Sequence, residues 1–237
     1  MQTTSALYQQ IVATSGHYFK TKVEIAGNEV PEAQIIKLER EEIGVSDKKP
    51  SVGGALAAQI ILTILEPAFS IPRMAAVSVY VQACTETLES EWIPKGTYYI
   101  DTRAHNQTVN GVGTLKITAF DAMLKADQDY PSTNHVWPYR DALVVAEIAS
   151  AMGVPVDPRT NQFITAGYMI DMPVSYNMRE TLGHIAAAYG GNFVISPGNT
   201  LLFVPLYGTD PDVTGNYLAD ESGNALVFGD EGWCILV

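Results

Sequence analysis

Residues 96–131 read GTYYIDTRAHNQTVNGVGTLKITAFDAMLKADQDYP, and the fold turns on how this stretch is read. Tyr98, Ile100 and Thr102 fall on one side of an extended chain and Tyr99, Asp101 and Arg103 on the other, the period-2 alternation of a strand. The apolar signal stops at His105, Asn106 and Gln107. It returns as Val112, Leu115, Ile117 and Ala119, with Gly111 and Gly113 bracketing the turn. The pattern predicts a hairpin with a polar tip at His105, followed by a short helix that starts at Ala122 and is capped by Asp121. Gly96 relieves the backbone at the start of the hairpin.

Outward from this hairpin, the preceding residues continue in strands. Ser5 to Val12 predicts a short N-terminal helix. Tyr18–Ile25 and Ala33–Ile43 read as strands separated by a turn at Gly27-Asn28, although AQIIKLEREEI has the composition of a helix as well. A loop over Gly44–Gly54 carries the Lys48-Lys49 pair. ALAAQIILTIL, which begins at Ala55, is a continuous apolar run whose Ile60, Ile61, Thr63 and Ile64 favour one buried strand. AAVSVYVQAC alternates from Ala75. About six short antiparallel strands before Asp121 fit a barrel or strongly curved sheet better than a wound α/β sheet.

After Asp121 the period changes from 2 to 3.6. A helix is predicted from Tyr139 to Met152, started by Pro138 and stopped by Gly153. A second is predicted from Asn177 to Tyr189, with Asn177 and Glu180 in capping-box spacing. A hairpin turning on Pro197-Gly198-Asn199 follows, and another turns on Ser222-Gly223-Asn224. The expected fold class is therefore α+β, mainly β: an N-terminal antiparallel β-barrel over 1–125, a smaller α+β domain with two helices over 126–206, and a C-terminal hairpin over 207–237.

The chain has 237 residues, 47% of them apolar, enough to bury a large core. Its 14 basic and 26 acidic residues leave a net charge of −12, which disfavours stable binding to nucleic-acid phosphates. No apolar run of about 18 residues predicts a membrane span, and the first residues lack a secretory pattern, so synthesis in the cytoplasm without membrane insertion is expected. Cys84 and Cys234 have no metal-type spacing and are expected as buried free thiols.

The same residues give little sign of catalysis. His17, His105, His135 and His184 do not pair with one another or with cysteine at ligand spacing. SVGGAL lacks the lysine of a phosphate loop. Carboxylate pairs such as Glu41-Glu42 and Asp127/Asp129 arise easily in so acidic a chain. The expectation is no enzyme, no metal and no cofactor, and the interface residues are unknown. A cell-wall hydrolase module and a carbohydrate-binding receptor-recognition domain are the alternatives, the latter with Trp92, Trp137 and Tyr98 as stacking residues.

The order of EWIPKGTYYIDTR, GVGTLKITAFDAMLKADQDYP, WPYRDALVVAEIASAMGVPV and VSYNMRETLGHIAAAYGGNFVISPGNTLLFVPL resembles the N-terminal half of bacteriophage tail and baseplate hub proteins, the late-control-D-like family. The resemblance runs from about Tyr18 to Leu206. It implies a barrel followed by a helix and an α+β unit, a virion structural role at the tail tip between the tail tube and the distal tail, and a homo-oligomeric ring with a trimer favoured. Trp92 and Ile93 would plug one barrel end. Members of the family usually carry a second barrel, whereas here only about thirty residues follow Leu206 and end in the apolar Trp233–Val237, so either the chain is a piece of a longer hub or another chain completes that barrel. In a trimer, acids such as Glu39, Glu41, Glu42 or Asp101 would face a central channel and let DNA slide without holding it.

Overall fold

The computed structural model describes residues 4–41, 51–107, 113–131, 136–206, 226–228 and 234–236. In chain order the elements are α1 (Ala6–Ala13), β1 (Tyr18–Ile25), β2 (Asn28–Val30), β3 (Ile35–Glu41), β4 (Gly54–Leu56), β5 (Gln59–Leu65), β6 (Ala76–Cys84), β7 (Ile93–Gln107), β8 (Gly113–Phe120), β9 (Tyr139–Arg140), α2 (Asp141–Met152), α3 (Thr160–Phe163), β10 (Met169–Ile170), α4 (Met178–Ala188), β11 (Gly191–Ile195) and β12 (Leu201–Pro205), then β13 (Leu226–Phe228) and β14 (Cys234–Leu236). Residues up to Leu206 form one compact unit, and Tyr207–Val237 form another.

The first unit is mainly β with packed helices, the expected class. Its seven-stranded antiparallel sheet has the order β2-β1-β6-β7-β8-β5-β3 and curls into a half-barrel. Alternation builds its core: Ile60, Leu62 and Ile64 of β5 and Val77 and Val79 of β6 are buried together with Ile100, Leu115, Ile117 and Ala119. Bulges interrupt the register between Val79 and Tyr80 and between Ile100 and Thr102, and such insertions bend and twist a sheet. The half-barrel is open, because β2 and β3 are its edges rather than a closing pair.

The bulge at Asp101 also corrects the sequence reading of the hairpin. Tyr98 and Ile100 share one side as expected, and that side is the core, but beyond Asp101 the faces exchange. Thr102 pairs with Thr118 on the outer face, and Arg103 and His105 pair with the core-facing Ile117 and Leu115. His105 is thus a residue of β7, not of the hairpin tip. Arg103 there donates to the Ile71 carbonyl at 2.6 Å, and His105 lies 3.1 Å from Glu66.

A second correction concerns ALAAQIILTIL, which is two strands in two sheets. β5 belongs to the half-barrel, whereas β4 pairs in parallel with β11 in a three-stranded sheet of order β12-β11-β4. This small sheet packs with α2, α4 and the 3₁₀ turn Ala122–Ala126 around a second core that includes Met123, Ile148, Leu182, Phe193 and Phe203. AQIIKLEREEI is a strand over Ile35–Glu41, preceded by a 3₁₀ turn at Glu32–Gln34.

The helix starts follow side-chain chemistry closely. Asn177 accepts from the Glu180 amide while Glu180 accepts from the Asn177 amide, a complete capping box. α2 begins at Asp141, two residues after its predicted start, because Tyr139 and Arg140 pair with Ile170 and Met169 in a two-stranded sheet. Gly153 ends α2 in the left-handed region, at φ 73°. In the second unit β13 pairs with β14. The Ser222–Asn224 turn, His135, Glu42 and Lys48-Lys49 lie outside the described residues.

Candidate functional site

Asp121 joins the two layers. Its Oδ1 accepts from the Met123 amide at 2.9 Å, and its Oδ2 accepts from the Ala58 amide at 2.8 Å. Its own amide donates to the Ala58 carbonyl at 3.0 Å. One side chain therefore caps the 3₁₀ turn and fixes the break between β4 and β5. Burial pushes its carboxyl up to about 6, against the two amide hydrogen bonds that favour the carboxylate.

Beside this junction is a cavity of about 360 Å³ lined by Arg40, Lys95, Tyr98 and Asp121 together with Val194 and Val204. Arg40 Nε donates to the Tyr98 hydroxyl at 2.6 Å, and that hydroxyl donates to the Lys95 carbonyl at 3.1 Å. Tyr98 is only 1% exposed, so it is a core residue with a satisfied hydroxyl and offers no ring to a sugar. Trp92 is part-exposed, with Lys22 over its ring. Trp137 is half-buried, edge-on to both Tyr130 and Tyr139. The three aromatics proposed for carbohydrate stacking do not form one exposed platform. Ile93 is buried beside the exposed Trp92.

A larger cavity of about 400 Å³ lies among the start of α2, β10 and α4. Asp141, 1% exposed, is at its base. Asp141 Oδ1 accepts from the Ala142 amide at 2.7 Å, and Oδ2 accepts from the Tyr168 amide at 3.1 Å and from the Tyr189 hydroxyl. Burial, reinforced by the hydrogen bond to Asp141, pushes the Tyr189 phenol up to about 12. His184 lines the same cavity and meets Tyr176 edge-on, with centroids 4.7 Å apart. Sequence reasoning missed this site, because Asp141 sits 27 and 48 residues from two of its partners.

The other sequence-named residues are scattered. His17 Nδ1 lies 2.8 Å from the Thr14 carbonyl. Cys84 is a buried free thiol, and the side chain of Cys234 lies outside the described residues. Asp127 and Asp129 are exposed. Glu39 and Glu41 lie on the outer face of β3, opposite Ile61 and Gln59, and exposed Asp101 occupies the β7 bulge near the same end of that face. Glu39 pairs with Lys37 at 2.7 Å, so the face has mixed charge. Among the described residues no cluster of three metal-ligating side chains occurs, and no helix is long and apolar enough to cross a membrane.

Asp157 is a third buried carboxylate with a clear structural task. It accepts from Arg159 Nε and Nη2, each at 2.9 Å, and from the Thr200 hydroxyl at 2.8 Å. These partners, the Arg159 hydrogen bonds first, hold its carboxyl well below the usual carboxylate range. The stability it contributes is present above the unfolded pKa of about 4 and is lost as pH falls below that value. Thr200→Val is expected to lower stability at pH 7 by about 1 kcal/mol and to shrink the acid-side loss; urea melts at pH 3 and pH 7 measure both.

No protein-family model matches the sequence, and a search of curated proteins finds no match. Similar solved structures include two tail proteins. The 43 kDa tail protein of prophage MuSo2 from Shewanella oneidensis superposes with a TM-score of 0.58 at 13% identity over 83% of this chain. The tail protein from Neisseria meningitidis MC58 does so with a TM-score of 0.53 at 15% identity over 87% of it. This chain spans 58% of the length of each. A half-barrel continued by a helix-packed small sheet is thus a fold that this chain shares with these tail proteins.

Proposed function

We propose that this chain is a structural component of a phage or prophage tail, a hub or tip protein that links the tail tube to the distal tip or baseplate. The observation that carries the reading is the shared fold over most of the chain. The open half-barrel supports it as well: β2 and β3 are edge strands, and unpaired edge groups invite pairing with another chain. The role is architectural, not enzymatic, and its place is the virion. The partners are further copies of the same chain in a ring, with a trimer favoured, and a tail tube or distal tail protein. In that ring Glu39, Glu41 and Asp101 stand toward the DNA path.

Self-repulsion from a charge of −12 opposes association of the free chain at low salt. Light scattering at micromolar concentration is therefore expected to give a monomer or weak oligomer, with a stable ring only after co-expression with the tube protein. A stable two-fold dimer with an extensive interface would overturn the ring. Random duplex DNA at low salt should migrate unchanged with tens of micromolar protein. Salt-sensitive retardation at about 10⁻⁶ M would contradict an acidic passage.

A further inference from the structure

We propose that the cavity above Asp141 is a binding site for a trimethylammonium group, as in choline. The cavity combines one buried negative charge with aromatic walls. Tyr168 and Tyr189 meet at 57° with centroids 5.3 Å apart, and Tyr176 and His184 meet at 70°. Ring faces therefore point in several directions around one space, and Met169 and Met172 add polarizable thioethers. A cation within about 6 Å of such a face is attracted by the ring quadrupole. The mouth is accessible, since Tyr168 and Tyr176 are each about half exposed.

The hydrogen bonding selects the kind of cation. Both oxygens of Asp141 already accept from fixed donors, two backbone amides and the Tyr189 hydroxyl. No ion pair found among the described residues involves Asp141. A primary ammonium brings three donors that need acceptors, and beside Thr181 and the exposed Asp171 and His184 the lining is largely tyrosine, methionine and isoleucine, which supply few. A trimethylammonium group presents only methyls at its surface and needs none. An anion would meet Asp141 and, also lining the cavity, Asp171. Charge and surface chemistry point to this ligand class, and the cavity's volume is ordinary for a small-molecule site.

The site does not depend on the proposed tail role, and its test is calorimetry on the purified whole chain. Choline is expected to bind saturably and about tenfold more tightly than 3,3-dimethyl-1-butanol, its neutral isostere. Tyr176→Leu, at a half-exposed position, should weaken choline at least threefold and leave the far-UV spectrum unchanged. Phosphocholine distinguishes the source: binding of choline alone marks a free solute, comparable binding of both marks a headgroup, and either supports the site. Equal binding of choline and the alcohol, or no saturable choline binding up to about 50 mM, would overturn it.

Discussion

Asp121→Ala is expected to lower the unfolding free energy by about 3 kcal/mol. Removing a helix cap costs roughly 1 kcal/mol, and stranding a buried amide costs about 1–3. Both losses occur here, because the carboxylate caps Met123 and also holds the Ala58 amide at the break between the two sheets. The same residue gives stability an unusual pH dependence. Its folded pKa, about 6, stands above the ordinary aspartate value of about 4, so the folded state holds the proton more tightly than the unfolded chain. Its contribution is complete below about pH 4 and is lost as pH rises through 6, a change of at most about 3 kcal/mol. Urea melts of the wild type and Asp121→Asn at pH 4.5 and 7.5 isolate this group, because the other carboxylates cancel. The wild type should lose more stability than the variant on going to the higher pH; parallel losses would show that Asp121 is ionised throughout.

Gly183→Val should cost about as much, for a steric reason. Gly183 is in the middle of α4, where exchange of glycine for alanine normally gains about 1 kcal/mol of helix propensity. Here a Cβ would stand 2.7 Å from the Gly53 carbonyl oxygen. Gly53 cannot easily retreat. Its φ is +87°, its amide donates to the Gly191 carbonyl at 2.9 Å, and a Cβ built on it would meet Ala187. Overpacking of this kind costs about 1–3 kcal/mol, more with a branched side chain. The clash wins over propensity, so even Gly183→Ala should lower the urea midpoint, and Gly183→Val should loosen the β4–β11 pairing. A midpoint raised by Gly183→Ala would contradict this packing.

The sequence made visible what is local. Alternation marked the core face of β6, and the Asn177 and Asp121 caps were legible because a cap and its target are two or three residues apart. The break at Ala57-Ala58 was not, because alanine carries no turn signal and the partner of β4 is β11, far along the chain. Nor was the Asp101 bulge: Asp101 satisfies period-2 alternation as well as any strand residue, and only pairing with β8 reveals it as the extra one. Tyr98 read as an available aromatic until Arg40, 58 residues away, was found on its hydroxyl. The Asp141 cavity had no local signal at all, since it is assembled from a helix start, a two-residue strand and a later helix.

The proposed structural role at the tail tip is tested most directly by electron microscopy of particles from a host that encodes this chain, with gold attached to an affinity tag on it. The account predicts label at the distal end of the tail tube, and tails that end prematurely or lack a tip when the gene is deleted. Label at the head or collar, or intact infectious tails without the chain, would contradict it.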